Sequence, residues 1–160
     1  MDNLRNVFAR NCRVERIGKT EASAFLDANH RLGSTGGRYF YGLFVTRSTG
    51  EAESVLPEET MVAVAAFSNA RRWTKGDRQV SSYEWIRYAS LKGLRVTGGM
   101  SKLLNAFIEQ VHPDDIMSYV PLRHFSGEVY ESLGFVSEGV KVFENGEQSR
   151  KYRLKLKEYH

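Results

Sequence analysis

One stretch of the sequence, residues 83–108 (YEWIRYASLKGLRVTGGMSKLLNAFI), constrains the fold more than any other. It begins with aromatic and β-branched residues typical of a strand, then turns polar around Gly98 and Gly99, and ends with helical periodicity. The spacing i, i+3, i+4, i+7, i+8, i+11 places these apolar residues on one helix face: Met100, Leu103, Leu104, Phe107, Ile108 and Val111. The stretch therefore predicts a strand, a glycine turn and an amphipathic helix.

The glycine turn also suggests a binding site. The first backbone N–H groups of a helix have no partner within it, so they are free to bind an anion. Glycines at Gly98 and Gly99 would let a ligand come close to these groups. A phosphate cradle and a plain strand–turn–helix corner both fit this pattern.

Length and composition favour one domain of ordinary globular type, residues 1–160, with 41% hydrophobic residues. The single cysteine, Cys12, cannot form an internal disulfide, which favours a reducing, cytoplasmic setting. We expect no membrane span and no secretory signal, because no apolar run is long enough and the N-terminal residues lack the signal pattern. No His, Cys, Asp or Glu spacing indicates a metal site.

Positive charge is concentrated in two segments of a chain whose net charge is +4. Residues 71–78 (RRWTKGDR), which we interpret as a loop, carry Arg71, Arg72, Lys75 and Arg78 around Trp73, and residues 150–157 (RKYRLKLK) form a basic tail. Such patches favour an anionic partner, either coenzyme phosphates or nucleic acid. Solvated loop and edge-strand cations are the alternative interpretation.

Hydrophobic patterns and turn residues predict the order of the elements. Strands are expected at 12–17, 38–46, 61–68, 83–88, 116–120, 140–144 and 151–156, and helices at 20–29, 100–111 and 128–133. Loops are expected at 30–37 and 48–60, and a hairpin turn at Asn145–Gly146. This order predicts an α/β fold with a mixed central sheet and helices on both faces.

Two motifs in this order resemble the GCN5-related N-acetyltransferase (GNAT) superfamily. Residues 84–104 (EWIRYASLKGLRVTGGMSKLL) resemble its central strand, its [RQ]-x-x-G-x-[GA] loop and its Leu-rich helix, with Met100 in the last place of the loop pattern. Residues 129–135 (VYESLGF) resemble its LYEKLGF signature. The resemblance implies a mostly antiparallel central sheet that splays between its two central parallel strands.

The resemblance also implies acetyl-CoA as cofactor. Backbone N–H groups of residues 96–101, at a helix N-terminus, would hold the pyrophosphate, and the central strand would pair with the pantetheine. The cofactor-binding residues implied in this way are Tyr88, Ala89, Ser90, Arg95, Val96, Thr97, Gly98, Gly99, Met100, Ser101 and Lys102.

The implied reaction moves an acetyl group from acetyl-CoA to an amine by direct attack. Tyr130 falls on the family tyrosine that protonates the departing thiolate, and Glu84 on an acidic position that could take a proton from the amine. A packed core tyrosine and an exposed edge charge are the alternatives for these two residues. His30, Arg87 and Arg123 are candidates for contacting a small-molecule or macromolecular acceptor, in a monomer or homodimer.

A narrower resemblance favours a different substrate. The segments GGMSKLL (98–104), IMSYVPLR (116–123) and GEVYESLGF (127–135) look like phage-encoded GNAT-like proteins, including Mom-type DNA-modification relatives. Pro121 stands where these relatives have Asp. A phage-type protein that binds or modifies nucleic acid, and a non-catalytic protein with the same fold, are therefore alternatives to acetyl transfer.

Overall fold

The computed structural model describes residues 5–47, 56–123 and 126–157. Its chain forms two compact units, one comprising Met1–Ser68 and Arg87–His112, the other Asn69–Ile86 and Pro113–His160. Strand β6 (Arg78–Ser90) runs from the second unit into the first. The prediction of a single domain stays a prediction, and the two units are described one after the other.

Among its described residues, the first unit contains strands, two helices and one 3₁₀ turn. In chain order these are β1 (Arg5–Phe8), the 3₁₀ turn (Ala9–Asn11), β2 (Cys12–Arg16), α1 (Lys19–Asn29), β3 (Tyr39–Val45), β4 (Met61–Phe67), the end of β6, β7 (Leu94–Thr97) and α2 (Gly99–Val111). Strands β2, β3, β4 and β6 lie in this order in one sheet, with β2 at the edge of the described sheet. The β2–β3 and β3–β4 pairs are antiparallel.

Helices α1 and α2 pack on opposite faces of β3 and β4, because successive side chains of a strand alternate between its faces. Even-numbered residues such as Phe40 and Val64 pack with Leu26 of α1. On the other face, the ring of Phe67 stacks on that of Phe107 of α2, with centroids 4.0 Å apart. The amphipathic face predicted for residues 100–111 is therefore the face that packs on the sheet, with Leu103, Leu104 and Phe107 buried.

Strand β1 and its partner β7 differ from the prediction. β1 was not predicted at all, and residues 94–97 were expected in a loop, yet the two strands pair in parallel from Arg5–Leu94 to Phe8–Thr97. Val7 is fully buried in this pair. A four-residue strand of this kind forms through a partner distant in sequence, so its own local pattern is weak.

The second unit is built on β6. Its other elements are β5 (Arg71–Lys75), β8 (Asp115–Pro121), α3 (Glu128–Ser132), β9 (Val136–Val142) and β10 (Gln148–Lys155). β6 pairs in parallel with β8 over Ser82–Glu84 and Asp115–Met117, and the sheet continues antiparallel through β10 to β9. This confirms the terminal hairpin, although β9 begins four residues earlier than predicted.

A buried ion pair joins β8 to β10 in the second unit. The carboxylate of Asp115, which is fully buried, lies 2.9 Å from Nη1 of Arg153, whose side chain is 14% exposed. Nε of Arg153 also donates to Glu138 of β9 at 2.9 Å. The guanidinium group therefore links three neighbouring strands of this sheet.

The basic segment 71–78 is a hairpin, not the loop that the sequence suggested. β5 pairs antiparallel with the first part of β6, from Arg71–Ser82 to Lys75–Arg78. Trp73 donates from Nε1 to Oγ of Ser82 at 2.8 Å, which holds its indole ring against the sheet. The four cations remain exposed.

The fold class follows the prediction: a mixed α/β fold with a large, mostly antiparallel sheet and a few helices. Smaller differences concern the element ends. α1 begins at Lys19 with Gly18 as N-cap, one residue earlier than the helix predicted at 20–29. Gly134 follows the end of α3 with φ +96°, the left-handed conformation common after a helix. Of the predicted loop at 48–60, residues 48–55 lie outside the described residues.

Candidate functional site

The N-terminus of α2 is open to a ligand in the first unit. Its N-cap, Gly98, has φ +79°, a left-handed conformation that glycine adopts without strain, and within the described residues no side chain caps this end. The first intrahelical bond runs from Lys102 N to Gly98 O at 3.0 Å. The N–H groups of Gly99, Met100 and Ser101 thus precede the hydrogen-bonded ladder, as in anion-binding helices.

Glycine is required at position 99 for space rather than for φ. A Cβ atom there would lie 2.6 Å from the hydroxyl of Tyr88 and 3.0 Å from Cγ1 of Val96. Burial raises the pKa of Tyr88 to about 12, so its hydroxyl is neutral beneath the helix end. The tyrosine predicted as a cofactor contact therefore packs with its side chain under the first turn of α2.

A groove of about 570 Å³ begins at this helix end. One wall is a single face of α2, and the other comes from β1, the 3₁₀ turn and β2. The lining residues are Phe8, Ala9, Arg10, Val14, Thr97, Gly98, Ser101, Lys102, Asn105, Ala106 and Glu109. The structure therefore brings four predicted cofactor-binding residues to one groove: Thr97, Gly98, Ser101 and Lys102.

Two groove residues have defined partners. Nζ of Lys102 donates to the carbonyl oxygens of Ala9, at 2.9 Å, and Cys12, which fastens the 3₁₀ turn to α2. Oγ1 of Thr97 donates to Oδ1 of Asn6 at 2.7 Å across the β1–β7 pair. The ammonium group of Lys102 is thus already hydrogen-bonded to two backbone carbonyl oxygens, although the side chain still lines the groove.

Sequence reasoning missed one cation of the groove. Arg10 is exposed on the groove wall, with its guanidinium 4.5 Å from the centroid of the Phe8 ring. No motif covers this N-terminal segment, and residues 5–8 (RNVF), which precede the 3₁₀ turn that carries Arg10, do not alternate between polar and apolar side chains.

The remaining predicted cofactor residues are distributed along β6 and β7. Arg95 and Val96 lie in β7, opposite Asn6 and Val7, so they belong to a strand rather than to a free loop. Ala89 is buried in the core under α1. Oγ of Ser90 donates to Leu94 O at 3.3 Å. Met100 is the exception to this distribution, because it lies on α2, where it is half-buried.

Tyr130 lies in an aromatic cluster of the second unit. Its ring meets Trp85 and Phe135 edge-on, at 5.7 and 5.5 Å between centroids, and stacks on Tyr152 at 5.8 Å. Its hydroxyl is hydrogen-bonded to the side chain of Ser118, which lowers the pKa of Tyr130, but burial raises that pKa more strongly. The phenol is therefore protonated at neutral pH, as a proton donor must be.

Glu84 is on the other side of the sheet. It lies inside β6, half-buried and paired with Met117 of β8, and not at an exposed strand end. Because side chains alternate along a strand, Glu84 and Trp85 point to opposite faces. Tyr130 packs on Trp85, so the structure does not bring the two catalytic candidates side by side.

Two of the acceptor candidates meet in the first unit. Nε of Arg87 donates to Gly33 O at 3.2 Å, and Nδ1 of His30 accepts from the backbone N–H of Leu32 at 2.9 Å. Burial, together with the positive charges of Arg87 and Arg31, lowers the pKa of His30 to about 4. His30 is therefore neutral at pH 7, and its second ring nitrogen, Nε2, carries the proton. Arg123 is exposed on a turn after β8.

The fold is that of GNAT acetyltransferases, as comparison with solved structures shows. A GNAT-family acetyltransferase from Bacillus anthracis has a TM-score of 0.58 at 12% identity, covering 91% of this chain and 95% of that one. A histone acetyltransferase and related acetyltransferase from Corynebacterium glutamicum has a TM-score of 0.56 at 14% identity, with 94% and 98% covered.

A third similar structure contains the coenzyme. A Tyr-to-Phe mutant of the toxin AtaT, bound to the C-terminus of the antitoxin AtaR and to acetyl-CoA, has a TM-score of 0.52 at 15% identity. The similarity covers 91% of this chain and 93% of that one. No family model matches the chain, and no curated protein matches its sequence.

The described residues also bear on two further properties, metal binding and membrane crossing. No group of three or more His, Cys, Asp or Glu side chains among them is placed to hold a metal ion. None of the helices in these parts of the chain combines the length and the apolar character needed to cross a membrane.

Proposed function

We propose that this protein is an N-acyltransferase that takes the acetyl group of acetyl-CoA and transfers it to an amine. The observation that carries the proposal is the groove at the open N-terminus of α2, in a chain with the fold of GNAT acetyltransferases. The coenzyme would supply an activated acetyl group as a thioester. The protein would bind it, orient it and move the protons.

The helix end has the chemistry that phosphates require. The N–H groups of Gly99, Met100 and Ser101 would donate to the pyrophosphate, with the positive end of the helix dipole behind them. Arg10 on the opposite wall would add a full positive charge. These groups are arranged before any ligand arrives, so little ordering is needed on binding.

Tyr130 would act as the general acid. Its phenol keeps its proton at neutral pH because burial raises its pKa, and it would give that proton to the departing thiolate. Glu84 is half-buried on the opposite face of β6 from Trp85 and Tyr130, so it would take the proton of the attacking amine through water rather than directly. In the first unit, His30 would contact the acceptor as an N–H donor and Arg87 as a cation. Arg123 of the second unit is a separate candidate cation for the acceptor.

The test is release of free thiol from acetyl-CoA in the presence of a panel of amines, followed by mass spectrometry of the products. We expect amine-dependent release, and a decrease of about 10²-fold in kcat for Tyr130→Phe, the lower end for loss of a general acid. Tyr119→Phe is the matched control, since Tyr119 lies on β8 and packs with Phe143 instead. Full activity of Tyr130→Phe would exclude the acid role.

Nucleic acid as the acceptor or partner is the second candidate function, and the β5–β6 hairpin favours it. Arg71 and Arg72 are exposed on β5, and Lys75 lies directly opposite Arg78 at the hairpin end. Like charges opposite each other in a hairpin repel, and bound phosphates would relieve that repulsion.

Salt-dependent binding to duplex DNA and to RNA tests this second candidate. The double variant Arg71→Ala/Arg72→Ala should weaken binding and reduce the slope of log K against log salt by about 2. Lys19→Ala, an exposed cation of α1, is the control. Binding that is absent in the unmodified protein, or unchanged in the double variant, would reject the hairpin as a nucleic-acid surface.

A further inference from the structure

Ser118 of β8 forms hydrogen bonds with two groups in the second unit. It is 2% exposed, its Oγ donates to the carbonyl oxygen of Trp85 at 2.9 Å, and its side chain is hydrogen-bonded to the Tyr130 hydroxyl. A serine hydroxyl has one proton to donate. Since that proton is directed to the carbonyl oxygen of Trp85, Oγ of Ser118 accepts a hydrogen bond from the Tyr130 hydroxyl.

The position of Ser118 makes this arrangement rigid. The parallel pairing of β6 and β8 covers Ser82–Glu84 and Asp115–Met117, and Trp85 and Ser118 are the next residue on each strand. The Ser118–Trp85 bond therefore joins the two strands just beyond that paired stretch. Ser118 is thus fixed in two ways: its backbone belongs to the buried strand β8, and its Oγ is hydrogen-bonded to the carbonyl oxygen of Trp85.

We propose that Ser118 is a positioning residue for Tyr130, fixing the direction of its O–H group and stabilising the tyrosine oxygen once its proton has left. The inference rests on the proposed function, in which Tyr130 is the proton donor. Nothing in the sequence motif that contains Tyr130 refers to position 118.

The proton balance of this step is simple. The O–H bond of Tyr130 breaks, a bond between that proton and the departing thiolate sulfur forms, and a phenolate remains. Ser118 then turns its own hydroxyl from the Trp85 carbonyl to the phenolate oxygen, without losing its proton. Solvent reprotonates Tyr130 afterwards, and Ser118 returns to the carbonyl.

Among the described residues, Ser118 is the side chain that is hydrogen-bonded to the Tyr130 hydroxyl. Trp85 and Phe135 contribute apolar rings, and the neighbouring titratable groups are Tyr152 of β10, stacked on Tyr130, and Glu131 of α3. The Tyr152 hydroxyl donates to Oε2 of Glu131 at 3.3 Å, so these two side chains are hydrogen-bonded to each other. Burial raises the pKa of Tyr130 and the Ser118 hydrogen bond lowers it. Removing the Ser118 hydroxyl therefore leaves burial, which raises the pKa of Tyr130, without the opposing hydrogen bond.

Ser118→Ala and Ser118→Cys remove the strong donor, and Ser118→Thr keeps it. For the two removal variants we expect kcat to fall about 3- to 10-fold with KM for acetyl-CoA unchanged, the worth of one neutral hydrogen bond. Ser118→Thr should recover most of kcat. If Ser118→Ala fails to fold, Ser118→Cys, which has nearly the same shape, gives the answer.

A second readout does not depend on turnover. Titration of ¹³Cζ-tyrosine by NMR, with the Tyr130 signal assigned by its loss in Tyr130→Phe, should show a higher pKa in Ser118→Ala than in the unmodified protein. An unchanged pKa, or an unchanged kcat in Ser118→Ala while Tyr130→Phe is impaired, would overturn this inference alone. Full activity of Tyr130→Phe would overturn both the acid role and the inference.

Discussion

Replacing Gly99 by alanine tests how the first turn of α2 is held against β6. The new Cβ would lie 2.6 Å from the Tyr88 hydroxyl and 3.0 Å from Cγ1 of Val96, so at least one neighbour must move. Overpacking of this kind costs about 1–3 kcal/mol, and alanine returns at most about 1 kcal/mol of helix preference over glycine. We expect Gly99→Ala to lower the free energy of unfolding by about 1–2 kcal/mol.

The Tyr88 hydroxyl is the closest of these contacts, and Tyr88→Phe removes it while keeping the ring. In the Tyr88→Phe background the 2.6 Å contact is removed and the 3.0 Å contact to Val96 remains, so the cost of the alanine should fall by about 1 kcal/mol. A double-mutant cycle measures this coupling directly, because costs that belong to one substitution alone cancel. Gly36→Ala is the matched control, since no described atom lies within 4 Å of the Cβ it would add.

The assay is urea unfolding of the four cycle variants and of the Gly36 control, followed by far-UV circular dichroism. A coupling of about 1 kcal/mol between positions 88 and 99, with none between 88 and 36, supports the packing described. Additivity within about 0.3 kcal/mol at positions 88 and 99 would refute it, because residues without contact behave in that way.

Two other predictions concern stability. Arg153→Ala removes the guanidinium that lies 2.9 Å from the fully buried Asp115 carboxylate and should cost about 3–5 kcal/mol. Lys157→Ala removes an ion pair to Asp114 from a side chain that is 47% exposed and should cost less than about 1 kcal/mol. Equal costs in urea unfolding would contradict the difference in burial. For His30, the folded pKa of about 4 lies below the unfolded value of about 6.5, so the unfolded chain takes up the proton first and stability falls as pH drops from about 6.5 to about 4. His30→Asn, which keeps an acceptor for Leu32 N–H, should flatten the urea midpoint against pH in this window, and an unchanged slope would show that His30 does not cause it.

The elements with strong local patterns were predictable from the sequence. The helical spacing of residues 100–111 and the apolar run 61–68 predicted α2 and β4, because the order of apolar residues within each segment already defines the face that packs. The glycines at 98 and 99 indicated the helix end in the sequence. The structure gives the reason for each: Gly98 has a positive φ, and at Gly99 a Cβ atom would collide with the hydroxyl of Tyr88.

The elements that depend on distant partners were not predictable. β1 and β7 are four residues each and are defined by pairing across about 90 positions, so neither has a pattern of its own. The charged residues 71–78 favour a loop when only the sequence is considered, because most side chains of the β5–β6 hairpin are exposed, and only Trp73 and Val80 indicate an inner face. Arg10 and Ser118 became candidates through β1 and through the Tyr130 hydrogen bond, neither of which leaves a signal in the sequence.

Calorimetric titration of acetyl-CoA into the protein and into two Ser101 variants tests the central claim, that the N-terminus of α2 holds the coenzyme phosphates. Ser101→Glu puts a carboxylate in the first helical turn, where the helix dipole favours it, so the fold should not suffer while the phosphates are repelled. Ser101→Gln has the same length without the charge. We predict one-site binding that is retained by Ser101→Gln and weakened at least about tenfold, or 1.4 kcal/mol, by Ser101→Glu. No binding to the unmodified protein, or equal binding by Ser101→Glu, would contradict the claim.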